Sequence, residues 1–560
     1  MDERNGTESP FPQALVDAFR AHPDVPAFEY RSRPVTRGEV LDLIGRCVTG
    51  LRAAGLGPGS SVALATDVTP EGFAVQLAAF VLGCRVTGLR PGLTPEHLGQ
   101  VLADDIDAVV TDDLAGRLGD VVAGGLGPAV TGRGTGPGRG TEPGRATVPR
   151  PGSDSPDAPA ATVLRLRPDL PDAPPVTVLR LGPDLLDAHP AADDLSPQGR
   201  PDDIALVTLT SGSTGQPKGC AQTYRSMTAH WSWQPARWTD RTTALATAYA
   251  RYLLFGTLTS AVIFEHLGLC LLGGGTAVIP DPPLNFPHVF AQHRISACLM
   301  TVPRLYRVLD TLREERVDTS SLRALVVAGS PLPPHRLALA RERLGPVVYQ
   351  GYGQTEAGML ALLTPDDLAR WPEEALDSVG RPWVGVEMEI RDAEGRPVPS
   401  GASGEIWVRT ATAMSGYWKD EERTREVLRD GWIRTRDIGR LDRHGLLRLT
   451  GRARDVIIIN AVVHYAGAIE RALTGHPDVD EAYVVGAPDE QTGEAAHAFV
   501  VPAPGRTPDS EVLRAHVTAR LGAGSAPATV TVVRDVPVGQ TGKPDKGALR
   551  ARLDGGGKRR

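Results

Sequence analysis

The 560-residue sequence predicts an α/β fold, with a large N-terminal domain of parallel-rich sheets covered by helices and a small α+β domain at the C-terminus. Three observations support this prediction. The chain is longer than one hydrophobic core usually supports, so at least two domains are expected. Short apolar, β-branched runs alternate with helical patterns over most of the length. The C-terminal part of the chain repeats this alternation on a smaller scale.

The large domain is predicted from alternating strand and helix patterns. Between Ala14 and Asp113, the strand-like runs VALAT and AVVT flank the helical pattern PEGFAVQLAAFVLG, which is typical of βαβ units. The patterns resume at Ile204 and continue to about Thr450, with LCLLGGGTAVI, SACLMTV and RALVVAG among the apolar runs. Each run is followed by glycine, proline or a helical pattern, as in a largely parallel sheet covered by helices.

The small domain is predicted from the last part of the sequence. A helix is expected from about Ala466 to Leu473, and a second helix near SEVLRAHVTARL. Strands are expected at EAYVVGAP, HAFVVP and TVTVV. Helices and strands of these lengths form a compact α+β unit.

A segment of different composition lies between about Gly124 and Arg200. It is rich in Gly, Pro, Arg, Thr and Asp and poor in apolar residues, so we expect a mobile insertion without a core. Two similar stretches lie inside it, TVLRLRPDLPDA at 162 to 173 and TVLRLGPDLLDA at 177 to 188. Two copies are too few for a solenoid, and a tandem duplication in a surface loop is favoured over a binding module.

Composition excludes several classes of function. The net charge is −7 and the basic residues are dispersed, which argues against a nucleic-acid partner. The five cysteines are widely spaced and form no CxxC pattern, so neither a disulfide framework nor a zinc site is expected. No apolar run has the length of a signal peptide or a membrane span, so we expect a cytoplasmic protein with no membrane partner.

The strongest local signal is LVTLTSGSTGQPKG, which runs from Leu206 to Gly219. A β-branched strand leads into a loop of hydroxyl residues and glycines, with a lysine after it. Small residues let backbone N–H groups approach phosphate oxygens, hydroxyls add donors, and the lysine neutralises charge. The loop lacks the Walker A pattern. The predicted phosphate-binding residues are Thr210, Ser211, Gly212, Ser213, Thr214, Gly215 and Lys218.

This loop resembles the signature of the adenylate-forming enzymes, the family of acyl-CoA ligases, firefly luciferase and the adenylation domains of peptide synthetases. Four further motifs follow in the family's order and spacing: YQGYGQTEAG at 349 to 358, GWIRTRDIGRLDRHG at 431 to 445, GRARD at 451 to 455, and VGQTGKPDKGAL at 538 to 549. The resemblance implies a large adenylation domain at 1 to 451, including a distorted barrel, and a small mobile lid domain at 452 to 560. Arg454 would stand where the lid rotates.

The resemblance also implies a nucleotide site. Tyr352 would lie against adenine, Thr355 would contact the α-phosphate, and Asp437 and Arg452 would bind the ribose. An aromatic face suits a purine, and a carboxylate suits the hard cation Mg²⁺. Glu356 and Thr214 would hold that Mg²⁺. The other implied nucleotide-binding residues are Gly329, Ser330, Gln350, Gly351, Gly353 and Gln354.

The implied mechanism has two steps. A carboxylate attacks the α-phosphate of ATP, with Mg²⁺ and Lys543 offsetting the developing charge, and pyrophosphate leaves. An acceptor then attacks the acyl-adenylate and releases AMP. The resemblance implies a small-to-medium or aryl acid as substrate and CoA or carrier-protein phosphopantetheine as acceptor. No carrier attachment signature follows the lid, so any carrier would be a separate protein.

The sequence departs from the family pattern at two places. Arg251 stands roughly where a histidine is common near the acid pocket. It would either pair with an acidic group on the substrate or form an ordinary salt bridge. Tyr249, Tyr252 and Phe255 would line an aryl-sized pocket or belong to the core.

The second departure concerns the acceptor. Asn460 and Ala461 replace a glycine pair that lies near the pantetheine arm in CoA ligases, and Ala466 replaces a common proline. Asn tolerates positive φ, whereas Ala does so poorly. An amine acceptor is therefore an alternative to a thiol, as is activation of nitrite to diazotise an arylamine. A non-catalytic relative is a third hypothesis, against which the joint presence of Thr214, Glu356, Asp437 and Lys543 speaks.

Overall fold

The computed structural model describes residues 8–90, 93, 95–102, 105–113, 162–164, 176–211, 217–453, 455–460, 462–489, 491–538 and 544–555. Several predicted positions lie outside these residues, namely 212–215, Arg454, Ala461 and Lys543. The described chain combines helices with parallel and antiparallel strands, which confirms the predicted α/β class. It divides into two units, Met1–Leu284 with Ala411–Thr424, and Asn285–Thr410 with Arg425–Arg560. The predicted domain boundary at 451 stays a prediction.

The strands are β1 Pro26–Tyr30, β2 Arg33–Thr36, β3 Ser61–Ala65, β4 Arg85–Gly88, β5 Ala108–Thr111, β6 Thr162–Leu164, β7 Val176–Arg180, β8 Ile204–Ser211, β9 Pro217–Thr223, β10 Arg251–Leu253, β11 Thr276–Ile279, β12 Ala297–Thr301, β13 Ala324–Ala328, β14 Val348–Gln354, β15 Gly358–Leu363, β16 Arg381–Pro382, β17 Val386–Arg391, β18 Gly404–Thr410, β19 Gly416–Tyr417, β20 Leu428–Arg429, β21 Trp432–Leu441, β22 Leu447–Arg452, β23 Val456–Ile459, β24 Val462–Tyr465, β25 Val479–Asp489, β26 Gly493–Pro502 and β27 Thr529–Val532.

The α-helices are Gln13–Ala21, Arg37–Ala53, Pro70–Val81, Pro95–Leu102, Tyr224–Thr228, Asp240–Ala248, Ala261–Leu272, His288–Gln292, Val302–Glu314, Pro334–Leu344, Pro365–Arg370, Glu421–Val427, Ala466–Thr474, Ser510–Leu521 and Lys546–Gly555. Short 3₁₀ turns lie at Pro235–Arg237 and Ala523–Ser525, and a π-helical turn at Leu181–Leu186. No helix in these described ranges is long and apolar enough to cross a lipid bilayer.

Threonine side chains start several of these helices. Thr36 accepts a hydrogen bond from the Glu39 amide while the Glu39 carboxylate accepts one from the Thr36 amide, which forms a capping box. Thr69 caps the helix that begins at Pro70, where proline costs no intrahelical hydrogen bond. These local signals explain why the helices begin where the chain pattern predicts them.

The first unit contains a mixed sheet in the order β19-β9-β8-β4-β3-β5-β7-β6. β8, β4, β3, β5 and β7 pair in parallel, whereas β9, β19 and β6 join antiparallel. Further strands of this unit pair in the order β10-β11-β1-β2, with only β2 antiparallel. The parallel pairing agrees with the βαβ units that the sequence predicts.

The second of the two similar stretches belongs to the folded core, so the predicted extent of the insertion is wrong at its C-terminal end. β7 pairs in parallel with β5, and Leu179, Leu181 and Leu185 are buried. Leu185 packs against Gly50, where an added Cβ would lie 2.8 Å from a methyl carbon of Leu185. Composition alone does not reveal this burial, because the segment has few apolar residues and they are concentrated on its buried side. The predicted mobility of the insertion concerns residues 124–161 and 165–175, which lie outside the described residues.

The second unit contains three groups of strands. The first is β16-β15-β14-β13-β12, in which β12, β13 and β14 are parallel. The second is antiparallel, in the order β17-β18-β21-β20 with β22 on β21. The third is β24-β23-β26-β25, with β27 parallel to β26. The third group carries the predicted α+β pattern of the C-terminal sequence.

The C-terminal strands have a hydrophobic core of their own. Its members come from the strands and from the helices Ala466–Thr474 and Ser510–Leu521. All of its buried residues lie between Ile457 and Val517. We call residues 456–555 the C-terminal module.

A buried polar cluster interrupts the apolar packing of the first unit. The helix Ala261–Leu272 carries Glu265 and His266, which are 4% and 1% exposed. His266 Nδ1 lies 2.6 Å from the Tyr249 hydroxyl. Burial raises the pKa of Glu265 to about 8, and burial together with nearby His230 lowers the pKa of His266 to about 3. The cluster is therefore uncharged at neutral pH.

Glu265→Gln should change how stability depends on pH. Between pH 4.5 and 8 the unfolded glutamate releases a proton that the folded one retains, so this residue makes the wild type less stable as pH rises, by about 1.4 kcal/mol per pH unit. Glutamine cannot titrate, so the free energy of unfolding of the variant lacks this slope. The stability of the variant relative to the wild type therefore increases as pH rises. Urea unfolding at pH 5.5, 6.5 and 7.5, followed by tryptophan fluorescence, measures the difference.

The matched control for this prediction is Glu342→Gln, since Glu342 is exposed. Its unfolding free energy should run parallel to that of the wild type over the same pH range. The histidines contribute equally to all three proteins and cancel in the comparison. Parallel profiles for Glu265→Gln and the wild type would contradict the buried neutral carboxyl.

Candidate active site

The carboxyl ends of two parallel strands meet at one edge of the β16-β15-β14-β13-β12 group. β13 ends at Ala328 and β14 at Gln354, and the two strands pair in parallel. The turns that follow them therefore lie at the same edge, where open α/β sheets bind ligands. The turns contain the predicted residues Gly329, Ser330, Thr355 and Glu356.

Asp437 is the centre of a hydrogen-bonded group next to this edge. It lies on β21 and is 5% exposed. The Tyr352 hydroxyl donates to Asp437 Oδ2 at 2.6 Å, and Gln354 Nε2 donates to the same oxygen at 2.7 Å. Arg452 Nε lies 3.2 Å from Oδ1. The structure thus brings together four predicted residues from three motifs.

The electrostatics of this group keep Tyr352 protonated. Burial raises the pKa of Tyr352 well above its usual value, and the charge of Asp437 adds to the effect. Tyr352 therefore acts as a hydrogen-bond donor to the carboxylate at any physiological pH. A carboxylate offers about four lone-pair positions. The three contacts to Asp437 leave capacity for a further donor such as a ribose hydroxyl.

Two predicted polar side chains beside this group have unused acceptors. Ser330 Oγ and Gln350 Oε1 are buried, and neither has a hydrogen-bond partner in the described part of the chain. Buried polar atoms are almost always paired, so each of these suggests a missing ligand or solvent partner. The residues present therefore fit a polar ligand at this edge of the sheet.

Two glycines are required here by backbone geometry. Gly329 has φ of 97°, a conformation that other residues rarely adopt. At Gly353 an added Cβ would lie 2.4 Å from the carbonyl oxygen of Gly358, which is too close for any side chain. Gly351 lies between Tyr352 and Gln350 on β14, with ordinary contact distances around it.

The predicted phosphate loop is built on an antiparallel hairpin of the first unit. β8 and β9 pair with Thr210 opposite Lys218 and Ser211 opposite Pro217. The Thr210 hydroxyl donates to the carbonyl oxygen of Lys218 at 3.3 Å. Both arms of the loop are therefore strands, and residues 212–216 between them, with Thr214, lie outside the described residues. Lys218 Nζ lies 5.4 Å from the centre of the Tyr417 ring.

A pocket of about 300 Å³ adjoins this hairpin, and none of the sequence motifs predicts it. Its lining combines cationic and aromatic side chains from segments far apart in sequence. The Arg85 guanidinium lies 4.1 Å from the centre of the Trp418 ring, and Arg423 pairs with Asp420 at 3.2 Å. No sequence motif could have brought these segments together. The cationic lining residues are Arg85, Lys218 and Arg423.

Arg251 forms a salt bridge of its own. Its Nη2 lies 2.9 Å from Oε2 of Glu29, and both side chains are partly buried. This contact supports the salt-bridge alternative of the sequence analysis. The aromatic neighbours Tyr249 and Tyr252 are fully buried, at 0% and 1% exposure, which supports their core alternative.

Asn460 adopts the backbone conformation that the missing glycine pair would allow. It has φ of 52°, and its backbone N–H donates to the Thr492 carbonyl oxygen at 2.9 Å. It ends β23 in a hairpin with β24, in which Ile458 lies opposite Val463. These two side chains are 47% and 50% exposed. An exposed apolar pair therefore stands beside the position where CoA ligases have glycines.

The donor set fits a magnesium ion that arrives with a nucleotide. Within the described residues, no group of three or more His, Cys, Asp or Glu side chains could hold a metal ion. Mg²⁺ is commonly bound by one or two carboxylates together with substrate phosphates. Glu356, half-buried in the turn after β14, would supply the carboxylate.

Two family models match the chain. The model for AMP-binding enzymes matches residues 15–418, and the model for the C-terminal domain of AMP-binding enzymes matches residues 468–543. Both matches include residues predicted for the site. Residues 419–467, with Asp437 and Arg452, lie between the two matched ranges.

Individual relatives are CoA ligases and an amide-forming enzyme. A medium/long-chain-fatty-acid–CoA ligase of Mycobacterium tuberculosis is 34% identical over 63% of this chain, which spans 62% of that ligase. A feruloyl-CoA synthase of an Amycolatopsis species is 35% identical over 65% of this chain and 73% of the synthase. The solved amide bond synthetase McbA of Marinactinospora thermotolerans is 34% identical with a TM-score of 0.78, covering 97% of this chain and 99% of McbA.

A more distant solved structure supports the fold alone. ATP-bound MatB from Rhodopseudomonas palustris is 22% identical, with a TM-score of 0.77 and coverage of 96% of this chain and 98% of MatB. The predicted fold class is thus seen in relatives of low sequence identity.

Asp437→Asn should weaken nucleotide binding strongly. The amide removes the negative charge opposite Arg452 and places a donor where a ribose hydroxyl would donate, so we expect the Kd for ATP to rise about tenfold or more. Tyr352→Phe removes one 2.6 Å hydrogen bond but keeps the ring, so a smaller rise is expected. Isothermal titration calorimetry with ATP measures both constants.

Asp430→Asn is the matched control, because Asp430 is exposed and its φ of 51° suits asparagine. Its Kd for ATP should equal that of the wild type. Equal ATP affinity for Asp437→Asn and Asp430→Asn would show that Asp437 does not contribute to ATP binding.

Proposed function

Since the chain belongs to the AMP-binding enzyme family, whose members are adenylate-forming ligases, we propose that it uses ATP to convert a carboxylic acid into an acyl-adenylate and transfers the acyl group to a thiol. The observation that carries this proposal is the group of Tyr352, Gln354 and Arg452 around the buried carboxylate of Asp437. Three separate motifs converge there, and unused acceptors lie beside them.

The nucleotide half of the site would use this group directly. Asp437 and Arg452 would bind the ribose, and the ring of Tyr352, held in place by its hydrogen bond, would lie against the base. The turns at Ser330 and Thr355 would meet the α-phosphate end. Glu356 would hold Mg²⁺ on the phosphates, and this ion would offset negative charge as the reaction proceeds.

The chemical step requires positive charge where the bonds change. A carboxylate oxygen of the acid attacks the α-phosphorus, and the bond from that phosphorus to the bridging oxygen breaks as pyrophosphate leaves. The Ser- and Thr-rich loop at 210–215 would hold the departing phosphates. Lys543 would place its ammonium beside the attacking carboxylate and the α-phosphate.

A thiol acceptor is supported by the CoA ligases among the relatives. In the second step the sulfur attacks the acyl carbonyl, the bond from that carbon to the phosphate oxygen breaks, and AMP leaves with its electron pair. The thiol loses its proton in the process. An aryl or medium-length acid is the proposed substrate class, since one relative is named a feruloyl-CoA synthase.

An amine acceptor is the second candidate, and two observations favour it. Asn460 holds the positive φ with a side chain in place of hydrogen, and this side chain would crowd a pantetheine arm that approaches there. A solved relative that aligns over 97% of this chain is an amide bond synthetase. An amine nitrogen would attack the same carbonyl and release AMP in the same way.

Product analysis separates the two acceptors. The protein is first screened for ATP–pyrophosphate exchange with aryl, medium-chain and amino acids. Each acid that supports exchange is then supplied with CoA or with a panel of amines, and the product is identified by mass spectrometry. A thioester supports the first candidate, and an amide formed without CoA supports the second. Absence of exchange with every acid class would overturn the proposal.

Lys543→Ala should abolish adenylation. Removing a charge that acts only in the transition state lowers the rate by about a hundredfold or more, so pyrophosphate exchange should fall at least that far. Binding of ATP, measured by calorimetry, should change much less. Lys419→Ala is the matched control, since Lys419 pairs with Asp105 on the surface of the first unit. Exchange that survives in Lys543→Ala would contradict the assigned role.

A further inference from the structure

A buried ion pair joins the C-terminal module to a helix far away in sequence. Arg336 lies on the helix Pro334–Leu344, and Asp480 lies on β25 of the module. Arg336 Nε donates to Asp480 Oδ1 at 2.5 Å, and Arg336 Nη2 donates to Asp480 Oδ2. The two side chains are 3% and 9% exposed. The contact is therefore bidentate and almost fully removed from solvent.

Neighbouring side chains fix both partners. The Arg336 guanidinium lies 4.4 Å from the centre of the Tyr306 ring, and its Nη1 lies 3.6 Å from Asp310 Oδ1. On the other side, His335 Nε2 lies 3.2 Å from Asp480 Oδ1. Burial alone would raise the pKa of Asp480, but His335 and the charge of Arg336 outweigh it and hold the pKa below its usual value.

An irregularity in β25 determines the direction of the Asp480 side chain. The pairing of β25 with β26 shifts register between Val479 and Glu481, so Asp480 lies in a β-bulge. Bulges redirect a side chain away from the regular ladder. Val479 and Ala482 on either side of this segment pack into the module's own core. Asp480 is thus turned outward from a strand whose neighbours face inward.

The energetics of this pair favour a positioning role. A buried ion pair adds little net stability, because desolvation offsets the attraction, but loss of one partner is costly. The apolar clusters of the C-terminal module are built from its own strands and helices and include neither Arg336 nor Asp480. A second contact runs from Arg471 Nη2 to the Thr450 carbonyl at 2.7 Å, close to the residue where the C-terminal module begins. Arg336 and Asp480 are 144 residues apart in the sequence. Their contact therefore constrains the module at a second point, separate from the contact at Thr450.

We propose that Arg336 and Asp480 are positioning residues that hold the C-terminal module in a defined orientation, and thereby set the balance between adenylation and acyl transfer. This inference rests on the proposed function, because Lys543 is carried by the same module. The pair acts through the placement of the module and touches no reacting atom.

Kinetic measurement of the two half-reactions tests the inference. Asp480→Asn, Arg336→Gln and the double variant are assayed for pyrophosphate exchange and, in a single turnover, for release of AMP from preformed acyl-adenylate. The ratio of the two rates should change by about fivefold or more in each variant and in the same direction. The double variant should resemble the single variants, because the pair acts as a unit. Equal falls in both rates would indicate a merely structural contact and overturn the inference.

Arg409→Gln is the matched control, since Arg409 forms an exposed ion pair with Glu387 on neighbouring strands. Its rate ratio should equal that of the wild type. If a single variant fails to fold, the apolar replacement Arg336→Met with Asp480→Leu restores a packed contact without the bidentate geometry. This double variant should fold and still show the altered ratio, and a wild-type ratio would contradict the inference.

Hydrogen–deuterium exchange separates this inference from the proposed function. In the nucleotide-free protein, Asp480→Asn should raise exchange in peptides of Pro334–Leu344 and of the bulged end of β25, whereas Arg409→Gln should not. This measurement needs no substrate, so it decides the docking role even if no acid supports adenylation. Unchanged exchange in Asp480→Asn would overturn the inference directly.

Discussion

The carboxylate of Asp437 is the constraint on which the candidate site depends. It accepts hydrogen bonds from Tyr352 and Gln354 on one group of strands and pairs with Arg452 on the neighbouring strand of its own sheet. Together with the hydrogen bond from Gln354 Nε2 to the Thr435 carbonyl oxygen at 2.8 Å, this buried charge aligns the end of β14 with β21. The proposed nucleotide site and the structural link between the strands are therefore the same group of atoms.

The chain handles buried charge in two different ways. Glu265 has no cationic partner among its described contacts, so burial raises its pKa to about 8 and the group is held neutral. Asp480 is held charged by Arg336 and His335, and its pKa is lowered. The first solution leaves an uncharged polar group in the interior. The second makes a contact with strict geometry and little net stability, which suits a module that must be placed correctly.

Much of the fold was predictable because local patterns carry it. The C-terminal helices and strands begin and end close to their predicted positions, from Ala466 to Val532. The extent of the insertion was not predictable from composition, since the burial of Leu179 depends on the pairing of β7 with β5 and that of Leu185 on its contact with Gly50. Arg251 likewise could not be assigned from sequence, because its partner Glu29 is 222 residues away.

The sequence by itself determined the family resemblance, the α/β class and the identity of the residues around Asp437, because short motifs of fixed spacing record that chemistry directly. Only the tertiary structure decided which of these residues meet, what partner Arg251 has, and that Arg336 contacts Asp480. These contacts join separate segments, up to 222 residues apart for Arg251 and Glu29. No local periodicity or motif encodes a pairing that arises only when separate strands and helices pack together.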